Sequence, residues 1–134
     1  MQAPEHPMQI SSLQMRQLAQ HADRHFVARL CAFVRTHCAT PDARHPRLVP
    51  EDDAALRCRV DEHLARARGH GLDGEQALAG FVAVAFSYSP HFDEVPQARA
   101  LLQDASLAPE ARMQRIFDAL VRAEQGRRAA GSRA

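Results

Sequence analysis

The sequence predicts an all-α fold, a single-domain helical bundle of about four longer helices and one short helix. Three observations predict it. Hydrophobic residues make up 46% of the chain, yet only six Phe, one Tyr and no Trp are present and alanine is abundant, a composition that favours helices over sheets. Apolar residues recur every three or four positions, as on one face of an α-helix. Prolines, glycines and capping residues separate these stretches, and 134 residues is about the length of one domain.

The first helix is predicted over about residues 12 to 38, after a loose tail over residues 1 to 9 that holds two prolines. Ser11 and Gln14 have the three-residue spacing of a capping box, which marks a helix start. The inward stripe is Met15, Leu18, Ala22, Phe26, Leu30, Phe33, Val34 and His37. The opposite face, which includes Arg35, is expected to be solvated.

The second helix is predicted between a proline-rich linker and a Gly-His-Gly turn at residues 69 to 71. The linker, residues 40 to 50, contains three prolines, and Pro50 with the three acidic residues after it suits a first helical turn. The inward stripe is Leu56, Val60, Leu64 and Ala67. A glycine after the stripe can adopt the left-handed conformation that ends a helix.

The third helix is predicted over about residues 74 to 88, at the centre of the bundle. Asp73 and Gln76 have the spacing of an N-cap pair. Apolar residues then cover nearly the whole circumference, namely Ala77, Leu78, Phe81, Val82, Ala83, Val84, Ala85 and Phe86. A helix that is apolar on all sides is surrounded by others. Gly80 costs about 1 kcal/mol relative to Ala in an exposed helix, so we expect another helix to pack closely there.

Two further helices are predicted, a short one over about residues 95 to 103 and a last one over about residues 109 to 125. Pro109 suits the first position of the last helix. Its inward residues are Met113, Ile116, Phe117, Leu120 and Val121. Residues 126 to 134 are expected to form a frayed tail, so the single helical domain covers residues 10 to 125.

Charge and composition argue against several classes of function. All seventeen basic residues are Arg, and sixteen acidic residues leave a net charge of +1. Arg suits phosphate recognition, but no basic stripe interleaved with aromatics is present, so we expect no nucleic-acid partner. No stretch approaches the ~20 apolar residues of a membrane span. The absence of a signal peptide pattern and of CxxC pairs predicts a cytoplasmic protein.

Histidines and cysteines are the candidate metal ligands. His21 and His25 are four residues apart, which places two imidazoles on one face of the first helix, although no HExxH motif is present. A third ligand such as His91 or a cysteine would complete a site, so a small-ligand or metal-binding helical domain using His21 and His25 is the alternative hypothesis. The three cysteines are predicted to be small buried hydrophobic residues: Cys31, Cys38 and Cys58.

The loop after the third helix, SPHFDEVP, carries acid/base residue types at His91, Asp93 and Glu94. They are close neighbours in one loop, and no partner elsewhere in the sequence is evident. A structural interpretation uses each residue. Pro90 stops the helix and Phe92 anchors the loop in the core. Asp93 or Glu94 caps the next helix, and Pro96 lies in its first turn. We therefore predict a structural loop signature of Pro90, Phe92, Asp93 and Pro96, with no catalytic residue, cofactor or metal ligand.

The order of these pieces resembles a family of small all-helical bacterial proteins found in gene neighbourhoods of the type VI secretion system, near spike and effector genes. The segments that carry the resemblance run from Ile10 to Cys38, from Arg59 to Glu94 and from Leu101 to Phe117. The family pattern is a helix that ends in Arg, a Tyr-Gly-x-Thr-like turn, an apolar helix, a Gly-Pro-x-Phe-Asp loop and a Leu-x-Asp-x-x-Leu-x-Pro turn. This chain departs from it at the usual Gly, aromatic and Ser/Thr cap positions, which are Ser89, His70 and Ala108.

The resemblance implies a context more than a mechanism. It implies a non-enzymatic accessory protein that binds a partner protein, as an adaptor, chaperone or immunity-type protein for a secreted effector or spike. A helical domain without a catalytic motif and with nearly balanced charge suits that role, because a helix face or groove can receive a partner.

Overall fold

Helices are the regular elements of residues 12–132, the part of the chain that the computed structural model describes; side chains are described for residues 23–127. The elements are α1 (Ser12–His37), α2 (Asp53–Gly69), α3 (Glu75–Ser87), α4 (Pro96–Leu102) and α5 (Pro109–Ser132), with 3-10 turns at Pro46–Leu48 and Phe92–Glu94. The predicted all-α fold of four longer helices and one short helix is confirmed. The predicted loose tail over residues 1 to 9 lies outside the described residues.

The directions of the helices follow from the residues that meet between them. Arg68 at the end of α2 pairs with Asp23 near the middle of α1, and Asp53 at the start of α2 pairs with Arg35 near the end of α1, so α1 and α2 are antiparallel. Along α3, Phe86 contacts His63 and Phe81 contacts His70, so α2 and α3 are also antiparallel. Helices α1 and α3 therefore run in the same direction.

Helix α3 is the central element, as predicted. It packs against α1, α2, α5 and the 3-10 turn at Pro46–Leu48. From Ala77 to Ser87 none of its residues is exposed. Phe81 and Phe86 are at most 1% exposed, and each such burial stabilises the fold by about 1.5–3 kcal/mol. The core is therefore built around this helix, with buried residues contributed by every other helix.

The start of α2 differs from the prediction. The helix begins at Asp53 rather than at Pro50, and Asp52 is its N-cap, with its carboxylate accepting a hydrogen bond of 2.9 Å from the Ala55 N–H. The carbonyl of Pro50 instead accepts from Arg35 at 2.6 Å. Arg35 is therefore half-buried and joins α1 to the linker, whereas the sequence predicted a solvated side chain.

The start of α3 also corrects the prediction that Asp73 caps it. The N-cap is Gly74, which makes no side-chain hydrogen bond. A Cβ at Gly74 would lie 3.1 Å from the carboxylate of Glu110. The Glu110 side chain would therefore have to shift to admit any other residue at this cap.

The turn between α2 and α3 confirms the predicted glycine cap. Gly71 has φ +85°, the left-handed conformation that glycine adopts without steric cost. Its N–H bonds to the carbonyl of Arg68 at 2.9 Å, and the Leu72 N–H bonds to that of Ala67 at 3.2 Å. This is the Schellman arrangement, in which buried Leu72 and Ala67 also place apolar side chains at the helix end.

Helix α5 is longer than predicted. It continues to Ser132 rather than ending near residue 125, so residues 126 to 132 are helical where a frayed tail was expected. The central residues of this stretch, 127 to 130, are two arginines and two alanines, both strong helix formers. Glu124, near the predicted end, pairs with Arg44 of the linker at 2.8 Å.

Four residues predicted to point inward or to be buried are exposed: Phe33, His37, Cys58 and Phe117. Phe33 is 43% and Phe117 44% exposed, because each lies at the edge of its helix's apolar stripe; Phe33 packs against the ring of His37, 4.7 Å away. Cys58 is exposed on α2, since the inward positions of that helix are taken by larger side chains such as Leu56 and Val60.

Candidate functional site

Two features of the described residues are candidates for function. One is a polar cluster formed by His63, Arg66, His70 and Asp93, between the C-terminal half of α2 and the loop after α3. The other is an apolar groove between α3 and α5, called the α3–α5 groove below. The polar cluster contains histidine and carboxylate side chains, the types that act in acid–base catalysis. The α3–α5 groove contains exposed apolar surface.

Arg66 is the centre of the polar cluster. Its guanidinium pairs with the Asp93 carboxylate and donates a hydrogen bond of 2.7 Å to the carbonyl of Pro90. A further N–H of Arg66 donates to Nδ1 of His63 over 2.9 Å. The guanidinium also lies 5.5 Å from the centre of the Phe81 ring. One side chain of α2 thus holds the loop after α3 against the helix.

Asp93 receives a second donor from α2. Nε2 of His70 lies 2.9 Å from Oδ2 of Asp93, and the Asp93 side chain is 7% exposed. Burial alone would raise the pKa of Asp93, but the hydrogen bonds from Arg66 and His70 outweigh it, and the pKa is lowered. Asp93 is therefore an ionised carboxylate in a largely buried position.

The geometry fixes the protonation of His63. A guanidinium can only donate hydrogen bonds, so Nδ1 of His63 accepts one and carries no proton. Burial lowers the pKa of His63 to about 4, and the positive charges of Arg66 and Arg59 contribute to the decrease. His63 is therefore neutral near pH 7, and its ring packs edge-on against Phe86 at 5.0 Å.

The polar groups of the cluster find their hydrogen-bond partners within the protein. Among the residues whose side chains are described, no buried side-chain nitrogen or oxygen lacks a hydrogen-bond partner. Both oxygens of Asp93 are engaged by α2. The arrangement can fasten a loop to a helix, and a substrate would have to displace existing bonds to reach Asp93.

The loop residues are separated by the structure rather than gathered into one site. Asp93 turns inward, while His91 and Glu94 are exposed and pair with each other at 3.1 Å. Phe92 is buried at 1% exposure against Phe81, and Pro96 occupies the first turn of α4, both as predicted. Helix α3 ends at Ser87, ahead of Pro90.

The prediction that Asp93 or Glu94 caps α4 is wrong. The N-cap is Val95, and it makes no side-chain hydrogen bond. Asp93 is instead the partner of Arg66 and His70, although no partner was evident from the sequence. The available signal was the polar series His63, Arg66 and His70 on α2, at spacings of three and four residues, which places them along one helix face.

Of the other predicted ligands, the structure describes the side chains of His25, His91 and the three cysteines. The side chain of His21 lies outside the described residues, and His25 is exposed. Where side chains are described, no group of three or more His, Cys, Asp or Glu residues could hold a metal ion. Cys38 is buried, with Sγ 3.6 Å from Oγ of Ser87. Cys31 is half-buried, and burial raises its pKa, which keeps the thiol protonated.

The α3–α5 groove is a cleft of about 230 Å³. Its floor consists of small or apolar residues, which are Gly80, Ala83, Val84 and Met113. One end is closed by an aromatic wall of Tyr88 and Phe117, whose rings meet edge to face at 6.2 Å. Phe117 is 44% exposed, so the wall presents apolar surface to the outside.

Polar side chains surround this floor. Gln76, Glu110 and Gln114 lie along the rim and are exposed. At the aromatic end, the guanidinium of Arg44 stacks on Tyr88 at 4.3 Å while it pairs with Glu124. An apolar floor inside a polar rim is the usual make-up of a protein-binding site.

A larger cleft of about 620 Å³ lies between α1 and α2, but its lining is different. The lining includes Ala28, Ala32 and Ala54, and the pair Arg35–Asp53 bridges it at 2.8 Å. Small side chains and a satisfied ion pair give a partner little to bind, because anchors in interfaces are large apolar or aromatic groups. The α3–α5 groove is therefore the better candidate.

Comparisons with known proteins leave the family open. The chain matches no protein-family model, and searches of curated proteins and of solved structures gave no significant match. Among the described residues, no helix has the combination of length and apolar character that crossing a membrane requires.

Proposed function

We propose that this protein is a non-enzymatic accessory protein that binds a partner protein through the α3–α5 groove. In the context that the sequence resemblance implies, it acts in the cytoplasm as an adaptor, chaperone or immunity-type protein for an effector or spike of a type VI secretion system. The exposed aromatic wall of the groove is the observation that carries the proposal.

The wall supports binding because it leaves apolar surface in contact with water. Phe117 keeps 44% of its surface exposed beside half-buried Tyr88, and covering apolar surface gains about 25 cal/mol per Å². Aromatic side chains at the centre of an interface are also the residues whose loss weakens binding most. A partner that covers this wall would gain energy from a surface that the bundle itself leaves open.

The polar cluster supports the non-enzymatic part of the proposal. A catalytic acid or base must reach a substrate proton within hydrogen-bond distance. Asp93 is bonded to Arg66 and His70 instead, and Arg66 is bonded to the Pro90 carbonyl. These groups are occupied in holding the loop after α3.

A capture experiment with matched variants tests the proposal. Tagged wild-type protein, Phe117→Ser and Phe33→Ser are incubated with each effector and spike protein encoded beside the gene. Phe33 is the control because it is an equally exposed phenylalanine outside the groove. We expect binding to wild type and to Phe33→Ser, and a loss of at least about tenfold in affinity for Phe117→Ser, since a central aromatic anchor contributes roughly 2 kcal/mol or more.

Two results would contradict the proposal. One is the absence of binding to any of these proteins. The other is a partner whose affinity is unchanged in Phe117→Ser, which would place the binding surface elsewhere. Circular dichroism melting curves of both variants show whether each remains folded.

A further inference from the structure

We infer that the occupant of the α3–α5 groove is an amphipathic helix that runs antiparallel to α3 and α5 and carries an arginine or lysine in its last turn. The inference rests on the proposed function and specifies the chemistry of the partner. It is carried by the length of the groove, the direction of its two helices and the carboxylate at one end.

The groove has the length of a short helix. On α3 its lining runs from Gln76 through Gly80 and Ala83 to Ser87, which corresponds to about 16 Å at 1.5 Å per residue. About three turns of a partner helix would fill this length, with apolar residues at positions i, i+4 and i+7. Because Gly80 and Ala83 are small, the floor of the groove has room for a branched apolar side chain of the partner helix.

The two helices that form the groove run in the same direction. Gly74 meets Glu110 at their starts, Gly80 meets Met113 further along, and Tyr88 meets Phe117 beyond that. The positive ends of both helix dipoles therefore lie at the Glu110 end. A partner helix in the antiparallel direction places its negative C-terminal end there, which is the favourable orientation of the dipoles.

Glu110 determines the charge of the partner's last turn. It is exposed at the rim, and no ion pair engages it within the described part of the chain, whereas Glu75, at the start of α3, is paired with Arg29. At the opposite end, Arg44 is already paired with Glu124. The groove thus presents one available carboxylate at one end, and a cationic side chain in the last turn of an antiparallel helix would also complement that helix's own dipole.

Synthetic peptides test the inference directly. Two fluorescent 15-residue helices carry leucine at the groove-facing positions and differ only in the last turn, which holds two arginines in one and two glutamates in the other. Binding to wild-type protein is measured by fluorescence anisotropy at low salt. We expect the arginine peptide to bind at least about twofold more tightly, because Glu110 attracts its last turn and repels that of the glutamate peptide.

Charge variants of the protein sharpen the test. Glu110→Gln should reduce the preference, leaving only the part that the peptide's own helix dipole supplies, and Glu110→Arg should shift it further in favour of the glutamate peptide. Glu62→Arg is the matched control, because Glu62 is an exposed glutamate on the polar face of α2, outside the groove. Phe117→Ser should weaken both peptides at least about tenfold, consistent with an anchor role.

The outcomes separate this inference from the proposed function. If a native partner depends on Phe117 but binds Glu110→Arg as well as wild type, the proposed function stands and the cationic helix is refuted. A groove filled by a second copy of this chain would appear as a dimer in light scattering that Phe117→Ser converts to a monomer, and this result would also overturn the inference. If neither peptide binds and no partner depends on Phe117, both proposals fail.

Discussion

At the scale of single residues, Asp93 holds the most demanding position in the chain. A carboxylate that is 7% exposed is costly to bury unless charged or hydrogen-bonded partners surround it. Arg66 and His70 supply those partners. His70 is thus one of the two side chains that allow Asp93 to stay ionised.

We predict that Asp93→Asn lowers the free energy of unfolding by about 2–3 kcal/mol. Removing one member of a fully buried ion pair costs about 3–5 kcal/mol because the other charge is left unpaired, and the partial exposure of Arg66 reduces this. Urea unfolding followed by circular dichroism measures the change. Glu94→Gln is the control, and it should differ from wild type by at most about 0.5 kcal/mol, since Glu94 is exposed. Equal stabilities of the two variants would contradict the role given to Asp93.

We predict that the protein loses stability as the pH falls from about 6.5 to about 4. His63 has a pKa of about 4 in the folded state, against 6.5 when free. Between these pH values His63 is protonated in the unfolded chain but not in the folded protein. Acid therefore lowers the free energy of unfolding, by up to about 3 kcal/mol in total. The lowered pKa of Asp93 acts at lower pH: its stabilisation is present above the ordinary value of 3.8 and is lost as the pH falls below it.

His63→Gln should flatten the pH dependence between 6.5 and 4. A glutamine oxygen can still accept the hydrogen bond from Arg66, but it does not titrate. Urea midpoints at several pH values measure the slope, and the exposed His91→Gln is the control. A slope in His63→Gln equal to that of wild type would assign the effect to other groups.

At the scale of elements, two glycines have opposite roles. Gly80 lies inside α3, and a Cβ added there would be 3.5 Å from Cβ of Met113, which is an ordinary van der Waals contact. The expected close packing of α3 on α5 is therefore present, but it leaves room for one methyl group. Gly71 has φ +85°, a conformation that other residues adopt only with strain.

We predict that Gly80→Ala raises the free energy of unfolding by up to about 1 kcal/mol, because alanine is the better helix former. Gly71→Ala should lower it by about 1–2 kcal/mol, because the left-handed conformation strains a residue with a Cβ. Thermal and urea unfolding of the two variants measure whether each substitution raises or lowers the free energy of unfolding. Destabilisation by Gly80→Ala would mean that α3 and α5 cannot accommodate the methyl group.

At the scale of the whole molecule, α3 is the element on which the others depend. It contacts α1, α2 and α5, so its amides can exchange with solvent only when the bundle opens. We predict that the amides from Phe81 to Phe86 exchange most slowly, at rates set by global unfolding. Hydrogen exchange measured by NMR checks this, and faster exchange in α3 than in α1 would contradict it.

The helices and their centre could be predicted from the sequence because they depend on local patterns. Periodic apolar residues located all five helices, and the apolar circumference of residues 77 to 86 identified the central one. The polar cluster could not be predicted in the same way, since Arg66 and Asp93 are 27 residues apart and their pairing depends on how the loop folds back. Phe117 was misplaced because periodicity cannot show which edge of a stripe lacks a covering helix.

The pairing of Arg66 with Asp93 has a consequence for the rate of unfolding. Closing a flexible loop of 27 residues costs about 3 kcal/mol of chain entropy from its length-dependent part, but the antiparallel packing of α2 on α3 has already brought the two ends together. The ion pair can then form after the helices have docked, and side chains that join late affect unfolding rates more than folding rates. Asp93→Asn should therefore shorten the lifetime of the native state while the chain folds at nearly its original speed. The ion pair of Arg66 and Asp93 thus sets how long the bundle stays folded and has little influence on how quickly it folds.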